Sequence, residues 1–273
     1  MSTDNKDNTQ SNEVIIYTKE NLISVLKGLS GTWHKGARHG NHGCIGNTLE
    51  DLLGIQENNL PIPNAAEWEL KAQKLGTSAL TTLFHIEPSP KAIRFVPNVL
   101  LPNYGWSHQE AGKKYSSGEM SFRQTIHGLS ASDRGFKVVV ASDEKKVLIS
   151  FDATQVGAKH ATWLKSVEER IGLSQLSPQP YWGFDDLMHK AGTKLLNCFY
   201  VQAEVKKIAG ESYYNYSKVL MLQSFDFEGF LEGLKIGKIL VDFDARTGHN
   251  HGTKFRMKQD YFPSLYKTVT VIL

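Results

Sequence analysis

The sequence predicts an α/β fold in which a mixed sheet is flanked by helices. Short segments rich in β-branched and aromatic residues occur between amphipathic segments of helical period. With 273 residues, of which 40% are hydrophobic and 22% charged, the chain has the composition of a globular protein with a substantial core. There is no internal repeat.

Charge and cysteine content restrict the class of protein. The 31 Lys and Arg against 28 Asp and Glu give a formal charge of +3, so any DNA-binding surface must be a local concentration of charge. Cys44 and Cys198 make no disulfide framework, which favours a reducing compartment. There is neither an apolar run long enough to span a membrane nor a signal-peptide core, so we expect a cytoplasmic protein without a membrane partner.

The first part of the chain is predicted to contain two short helices followed by strands. Thr18 is expected to cap a helix over 18–27, and Asn47 or Thr48 to cap a second helix that Gly54 ends. The other predictions are a disordered tail at 1–12, a strand or lead-in at 13–17, a strand at 79–86 that pairs with the strand before it, an irregular basic loop at 95–119, strands at 119–126, 136–141 and 146–151, and a helix at 158–171.

A break rich in Gly, Ser and Pro at 172–180 is the best candidate for a subdomain boundary. Beyond it we predict helices at 184–195 and 226–234, strands at 198–206 and 239–244, and a tyrosine-rich turn or strand at 211–217. We therefore expect a catalytic subdomain over 13–172 and a recognition subdomain over 173–273, whose C-terminal part returns to the core.

Glu69 and Lys71 place a carboxylate and an ammonium group two residues apart. On a strand both side chains would point to one face while Leu70 points into the core. A carboxylate there can hold a divalent cation, and the lysine can stabilise charge on a phosphate. Taken alone the spacing is a weak signal, because many solvated strands show it.

Two glycine-rich segments, 33–46 and 244–256, concentrate basic side chains that can contact phosphates or base edges. His85 ends a predicted strand, where a substrate would lie. His39 and His42 with Cys44 also permit a zinc site, although no second ligand pair at finger-like spacing follows. Solvated basic loops are the alternative for both segments. The candidates for DNA contact are Arg38, His39, His85, Arg246, His249, His251, Lys254 and Arg256.

Five motifs together resemble a known family. They are Gly46-Asn-Thr-Leu-Glu-Asp-Leu-Leu-Gly-Ile55, Glu57-Asn-Asn-Leu-Pro-Ile-Pro63, Glu69-Leu-Lys71, Leu83-Phe84 with Pro88, and His251-Gly-Thr-Lys-Phe-Arg256. In this order they are similar to the MvaI/BcnI group of type II restriction endonucleases, relatives of the mismatch-repair nickase MutH in the PD-(D/E)XK superfamily. The likeness runs from about Trp33 to about Met257 and covers most of the chain.

The resemblance implies a restriction-endonuclease-like fold whose catalytic and recognition subdomains form a DNA-binding cleft. It also implies a Mg²⁺ site made by Glu69, the Leu70 carbonyl and the acid of a Pro-Asp pair, with Lys71 as the catalytic lysine. In this chain Asn64 stands at the position of that acid. An amide oxygen can coordinate Mg²⁺ but brings no charge. Three explanations stay open: a naturally degenerate site, an inactivating substitution, or supply of the missing charge by Glu50 or Glu67.

The activity implied by the resemblance is Mg²⁺-dependent hydrolysis of double-stranded DNA at a short GC-rich site of the CC-N-GG kind, carried out by a monomer. A cognate DNA methyltransferase is expected in the same system, though not as a bound subunit. Three alternatives stay open at this point. They are a DNA-binding relative or inactivated variant that lacks cleavage because of Asn64, a MutH-like repair nickase, and a zinc-binding regulatory module.

Overall fold

The structure is a computed structural model that describes residues 17–37, 44–55 and 67–273. The predicted tail at 1–12 and four candidate residues, Arg38, His39, His42 and Asn64, lie outside the described residues.

Helices and strands alternate through the described residues. The α-helices are α1 (Lys19–Leu29), α2 (Cys44–Leu52), α3 (Leu101–Tyr104), α4 (Ala161–Ile171), α5 (Phe184–Leu195) and α6 (Phe227–Lys235). The strands are β1 (His34–Lys35), β2 (Glu69–Lys74), β3 (Thr81–His85), β4 (Trp106–Ser107), β5 (Met120–Ile126), β6 (Arg134–Ala141), β7 (Lys146–Val156), β8 (Tyr181–Gly183), β9 (Asn197–Ile208), β10 (Glu211–Phe225), β11 (Ile239–Arg246), β12 (His249–Asn250), β13 (Lys254–Met257) and β14 (Tyr266–Val271). Short 3₁₀ or π segments occupy Lys91–Ile93, Val96–Leu100, Ala158–His160 and Gln259–Leu265.

Three sheets organise these strands. The first has the order β1-β10-β9-β2, with β14 also paired to β10, and it is mixed because β2 runs parallel to β9. The second has the order β3-β13-β11-β5-β4, with β12 on β11, and the third is β6-β7-β8. The mixed α/β fold predicted from the sequence is confirmed.

The centre of the first sheet is buried on both faces, as the first half of β9 shows. Phe199 and Val201 point into a core that also contains Leu22 of α1 and Leu49 of α2. Tyr200, between them in sequence, points into the larger core, which contains α5, α6 and the other two sheets. This alternation follows from the two-residue period of a strand. The pairing with β9 places β2 between these two packed cores.

Three local predictions are confirmed: the cap of α1, the bounds of α5 and the glycine that follows α2. The Thr18 side chain accepts a hydrogen bond from the Asn21 N–H and caps α1, and α5 has the predicted bounds. Gly54, with a positive φ, follows the end of α2. Both cysteines are free. In the described part of the chain, no helix is long and apolar enough to cross a membrane.

Other local predictions are wrong. α2 begins at Cys44, so neither Asn47 nor Thr48 caps it; the buried Thr48 hydroxyl instead accepts a hydrogen bond from the Ala37 N–H. β3 pairs with β13 and not with β2, the strand before it. The segment 244–256, for which a solvated basic loop was the alternative, contains β12 and β13. Helical turns lie within 95–119, which was expected to be an irregular loop. The segment 211–217, predicted as a turn or strand, is the start of the long strand β10, so the strand alternative is confirmed.

The first sheet takes strands from both sides of the predicted boundary at 172–180. β2 belongs to the first part of the chain, whereas β9, β10 and β14 belong to the second. The strand that carries Glu69 is thus held by residues 197–208. The division into catalytic and recognition subdomains stays a prediction.

Candidate functional site

A buried ion pair lies at the beginning of β2. Glu69 is 1% exposed, and its Oε1 accepts a hydrogen bond from Lys71 Nζ at 2.6 Å. Leu70, between them, is buried in the core on the opposite face. Glu69 Oε2 is also buried but has no hydrogen-bond partner among the described residues. A buried carboxylate oxygen without a partner is energetically costly, so it offers a site for a cationic ligand.

The groups behind Glu69 are neutral. Burial, and secondarily the charge of Glu69, raises the pKa of the Cys198 thiol. Burial also raises the pKa of the Tyr266 hydroxyl, with smaller contributions from Cys198 and Glu69. Both groups therefore stay protonated near neutral pH and add no negative charge beside the carboxylate.

Helix α5 brings a second lysine to Glu69. Lys194 Nζ lies 3.7 Å from Glu69 Oε1, the oxygen that also accepts from Lys71. Lys190 lies one turn earlier on α5, and burial, then Lys194, then Lys91, lower its pKa. The sequence analysis missed both lysines. The signal that could have found them is their i, i+4 spacing, which places both on one face of the helix.

His85 lies opposite Lys254, since the two residues face each other in the pairing of β3 with β13. His85 lies at the strand end, where part of its side chain is exposed and part is buried. Burial lowers its pKa most, and the positive charges of nearby lysines lower it further; these are Lys254, Lys190, Lys194 and Lys71. The structure thus brings His85 and Lys254 to the same surface as Lys71. The rings of His249 and His251, at the tip of the neighbouring hairpin, meet edge to face with centroids 4.3 Å apart.

The lowered pKa of His85 predicts a pH dependence of stability. Because the unfolded chain binds this proton more readily than the folded chain, stability falls as pH drops below 6.5, towards the folded pKa. His85→Gln is therefore expected to lose less free energy of unfolding than the wild type between neutral and mildly acidic pH, as measured by denaturant unfolding. His249→Gln, at an exposed histidine, is the control. An equal acid sensitivity of His85→Gln and wild type would contradict the assignment.

Two arginines of the second basic segment are engaged within the protein. Arg246 Nη1 lies 3.0 Å from Glu119 Oε1, and the guanidinium lies over the Tyr115 ring. Arg256 donates to Asp242 Oδ2 at 3.2 Å and to the Leu80 carbonyl at 3.1 Å. Their assignment as DNA contacts stays a prediction, and both already have a structural role.

Helix α2, which carries Glu50, packs against β2. Glu50 is partly buried in the last two turns of this helix, and the exposed Glu67 lies two residues before Glu69. Both acids are therefore near the strand that carries the ion pair. Which of them adds charge to the site stays a prediction.

A model of the MvaI/BcnI restriction endonuclease family matches residues 23–266. The chain belongs to this family. The resemblance inferred from the motifs is confirmed, and the protein is a site-specific restriction endonuclease.

Two solved structures have a similar fold. One, the restriction endonuclease MvaI in complex with its cognate DNA substrate, has a TM-score of 0.73 and 24% identity, covering 94% of this chain and 100% of that chain. The other, MvaI in the absence of DNA, has a TM-score of 0.51 and 22% identity, covering 95% and 100% respectively. At this identity the two comparisons establish the fold alone. Among curated proteins, none matches the chain.

The oxygen donors of this MvaI/BcnI family member fit a divalent cation in part. The buried Glu69 Oε2 has no partner among the described residues, and a carboxylate oxygen is the type of ligand that Mg²⁺ prefers. The residues that the structure describes contain no group of three or more His, Cys, Asp or Glu side chains that could hold a metal. His39 and His42, the zinc candidates of the sequence, lie outside these residues, so the zinc site stays a prediction.

Proposed function

We propose that this restriction endonuclease hydrolyses phosphodiester bonds of double-stranded DNA with Mg²⁺, at a short GC-rich site of the CC-N-GG kind, and acts as a monomer. The observation that carries the proposal is the buried Glu69–Lys71 pair, whose second carboxylate oxygen has no hydrogen-bond partner among the described residues. The similar fold of MvaI, solved in complex with its cognate DNA substrate, supports DNA as the partner. We also infer a cognate methyltransferase in the same system, which is not a bound subunit.

Glu69 Oε2, the Leu70 carbonyl and Asn64 would hold the Mg²⁺ ion. When bound, the ion would polarise the scissile phosphate and favour deprotonation of the attacking water. Glu50 or Glu67 would add the negative charge that Asn64 lacks.

Lys71 acts on the phosphate directly. Its ammonium group, held at 2.6 Å from Glu69, can donate a hydrogen bond to a non-bridging phosphate oxygen and stabilise the charge that develops there. Because Glu69 is almost fully buried, these charges interact in a medium of low polarity, where electrostatic stabilisation is stronger than in water. His85 and Lys254 lie on the same surface, where they would contact the backbone of the bound duplex.

A plasmid library carrying short GC-rich sites tests the proposal. With Mg²⁺, the wild-type protein is expected to give discrete fragments whose ends share one sequence, and none in EDTA. A monomer must cut the two strands separately, so nicked circles should appear before linear DNA. Random ends would contradict site specificity, and cleavage independent of added metal would contradict the proposed cofactor.

A second candidate function, DNA binding without cleavage, is favoured by one observation, the presence of Asn64 in place of an acid. Specific duplex binding with Ca²⁺, but no cutting with Mg²⁺ at any concentration, would identify it.

A further inference from the structure

The lysines of α5 belong to a positively charged surface. This lysine surface consists of Lys71, Lys91, Lys190, Lys194 and Lys254, whose charges act on His85 or on one another. It draws on four distant parts of the chain. None of its members except Lys71 and Lys254 stands out in the sequence.

The charge of the lysine surface is poorly compensated. In the part of the chain that the structure describes, Glu69 is the carboxylate that forms ion pairs with members of this surface. A single oxygen of Glu69 contacts both Lys71 and Lys194. Neither Lys190 nor Lys254 has an ion pair with a carboxylate among these residues. Partial burial and neighbouring positive charge lower the pKa of Lys190, which means that its charged form is destabilised in the folded protein.

Helix geometry sets the direction of the surface. Lys190 and Lys194 are one turn apart on α5, so their backbones are separated by about 6 Å along the helix axis. This separation is comparable with the distance between neighbouring phosphates of one DNA strand. Lys194, at one end of this pair, lies 3.7 Å from Glu69, and Lys190, at the other end, is affected by the charge of Lys91.

We propose that Lys190 and Lys194 form a phosphate-binding pair that holds the backbone of the strand being cut, beside the phosphate at Glu69 and Lys71. Lys194 binds the phosphate nearer to Glu69, and Lys190 the next one along the strand. The DNA supplies the negative charge that the protein lacks at this surface. The proposal rests on the proposed function, because it takes duplex DNA as the substrate.

The test measures binding and not cleavage. The association constant for a short duplex of random sequence is measured in EDTA over a series of salt concentrations. Each phosphate contact contributes about 0.9 to the slope of log K against log salt concentration. Lys190→Gln and Lys194→Gln are each expected to reduce the slope by about that amount, and the double variant by about twice as much.

Two controls separate charge from other effects. Lys165→Gln removes an exposed lysine of α4 and is expected to keep the wild-type slope. Lys190→Arg keeps the charge and is also expected to keep it. Lys194→Gln removes a contact with Glu69 and could disturb folding for that reason. In that case the slope of Lys190→Gln is the test, since Lys190 has no such contact among the described residues.

The outcomes distinguish this inference from the proposed function. Wild-type slopes in both Lys190→Gln and Lys194→Gln would overturn the phosphate-binding pair, even if the wild type cuts DNA with Mg²⁺. Reduced slopes in a protein that never cuts DNA would support the pair and overturn the Mg²⁺-dependent hydrolysis. A wild type without salt-dependent binding would overturn both.

Discussion

Lys71→Ala is expected to slow DNA cleavage by about 10²–10³-fold while leaving duplex binding nearly intact. Loss of one pre-positioned donor to a developing negative charge has an effect of this size in other enzymes. The measurement is the single-turnover rate of plasmid cleavage with saturating Mg²⁺, together with the association constant for the same DNA in Ca²⁺. Binding should persist because phosphate contacts elsewhere on the lysine surface are unchanged.

Lys74→Ala is the matched control for this variant. Lys74 lies on the same strand as Lys71, but its side chain is exposed, and its backbone carbonyl accepts a hydrogen bond from Gln259 Nε2. The Lys74→Ala variant should cleave DNA at the wild-type rate. Equal rates for Lys71→Ala and wild type would remove Lys71 from the reaction. A parallel loss of binding and cleavage in Lys71→Ala would instead assign it to substrate binding.

Asn64→Asp is expected to strengthen Mg²⁺ binding and with it cleavage. The substitution restores an acid at the position where the resemblance to the family implies one, and the affinity of an oxygen site for a divalent cation rises with the charge of its ligands. Even outer-shell partners of a metal change its affinity by about 10–100-fold, so we expect at least a shift of this size. The measurement is the Mg²⁺ concentration that gives half-maximal cleavage.

Asn59→Asp adds the same charge earlier in the same segment of the sequence and should leave the Mg²⁺ requirement unchanged. An unchanged requirement in Asn64→Asp would show that Asn64 is not a ligand. In that case Glu50→Gln and Glu67→Gln become the decisive variants, since the acid that replaces the missing carboxylate should weaken Mg²⁺ binding when it is neutralised.

The elements that the sequence predicted well are those set by local chemistry. Helix α5 was placed correctly because Leu187, Ala191 and Leu195 make a regular apolar stripe, and α1 because Thr18 caps it. The pairing of β3 could not be read in this way. Its partner, β13, lies in a segment whose glycines and histidines resemble a solvated loop, and strand pairing between distant segments leaves no local pattern.

The candidate site shows the same division. Glu69 and Lys71 share a face because alternate residues of a strand do so, which the spacing predicts. Lys190 and Lys194 were missed because lysines on an amphipathic helix usually face solvent, and their proximity to Glu69 depends on how α5 packs. The internal ion pairs of Arg246 and Arg256 depend likewise on acids from other segments, Glu119 just before β5 and Asp242 of β11.

The parallel pairing of β2 with β9 has a consequence for the order of folding. Within the described residues, β2 hydrogen-bonds to no other strand, and Glu69 aligns with Cys198, far along the chain. A contact between such distant segments carries a large loop-closure cost and forms late. While the chain is being synthesised, Glu69 and Lys71 leave the ribosome long before β9 and α5 do. A partial chain that ends before β9 lacks the strand that aligns Glu69, so we expect such a fragment not to form the Glu69–Lys71 pair in its folded position.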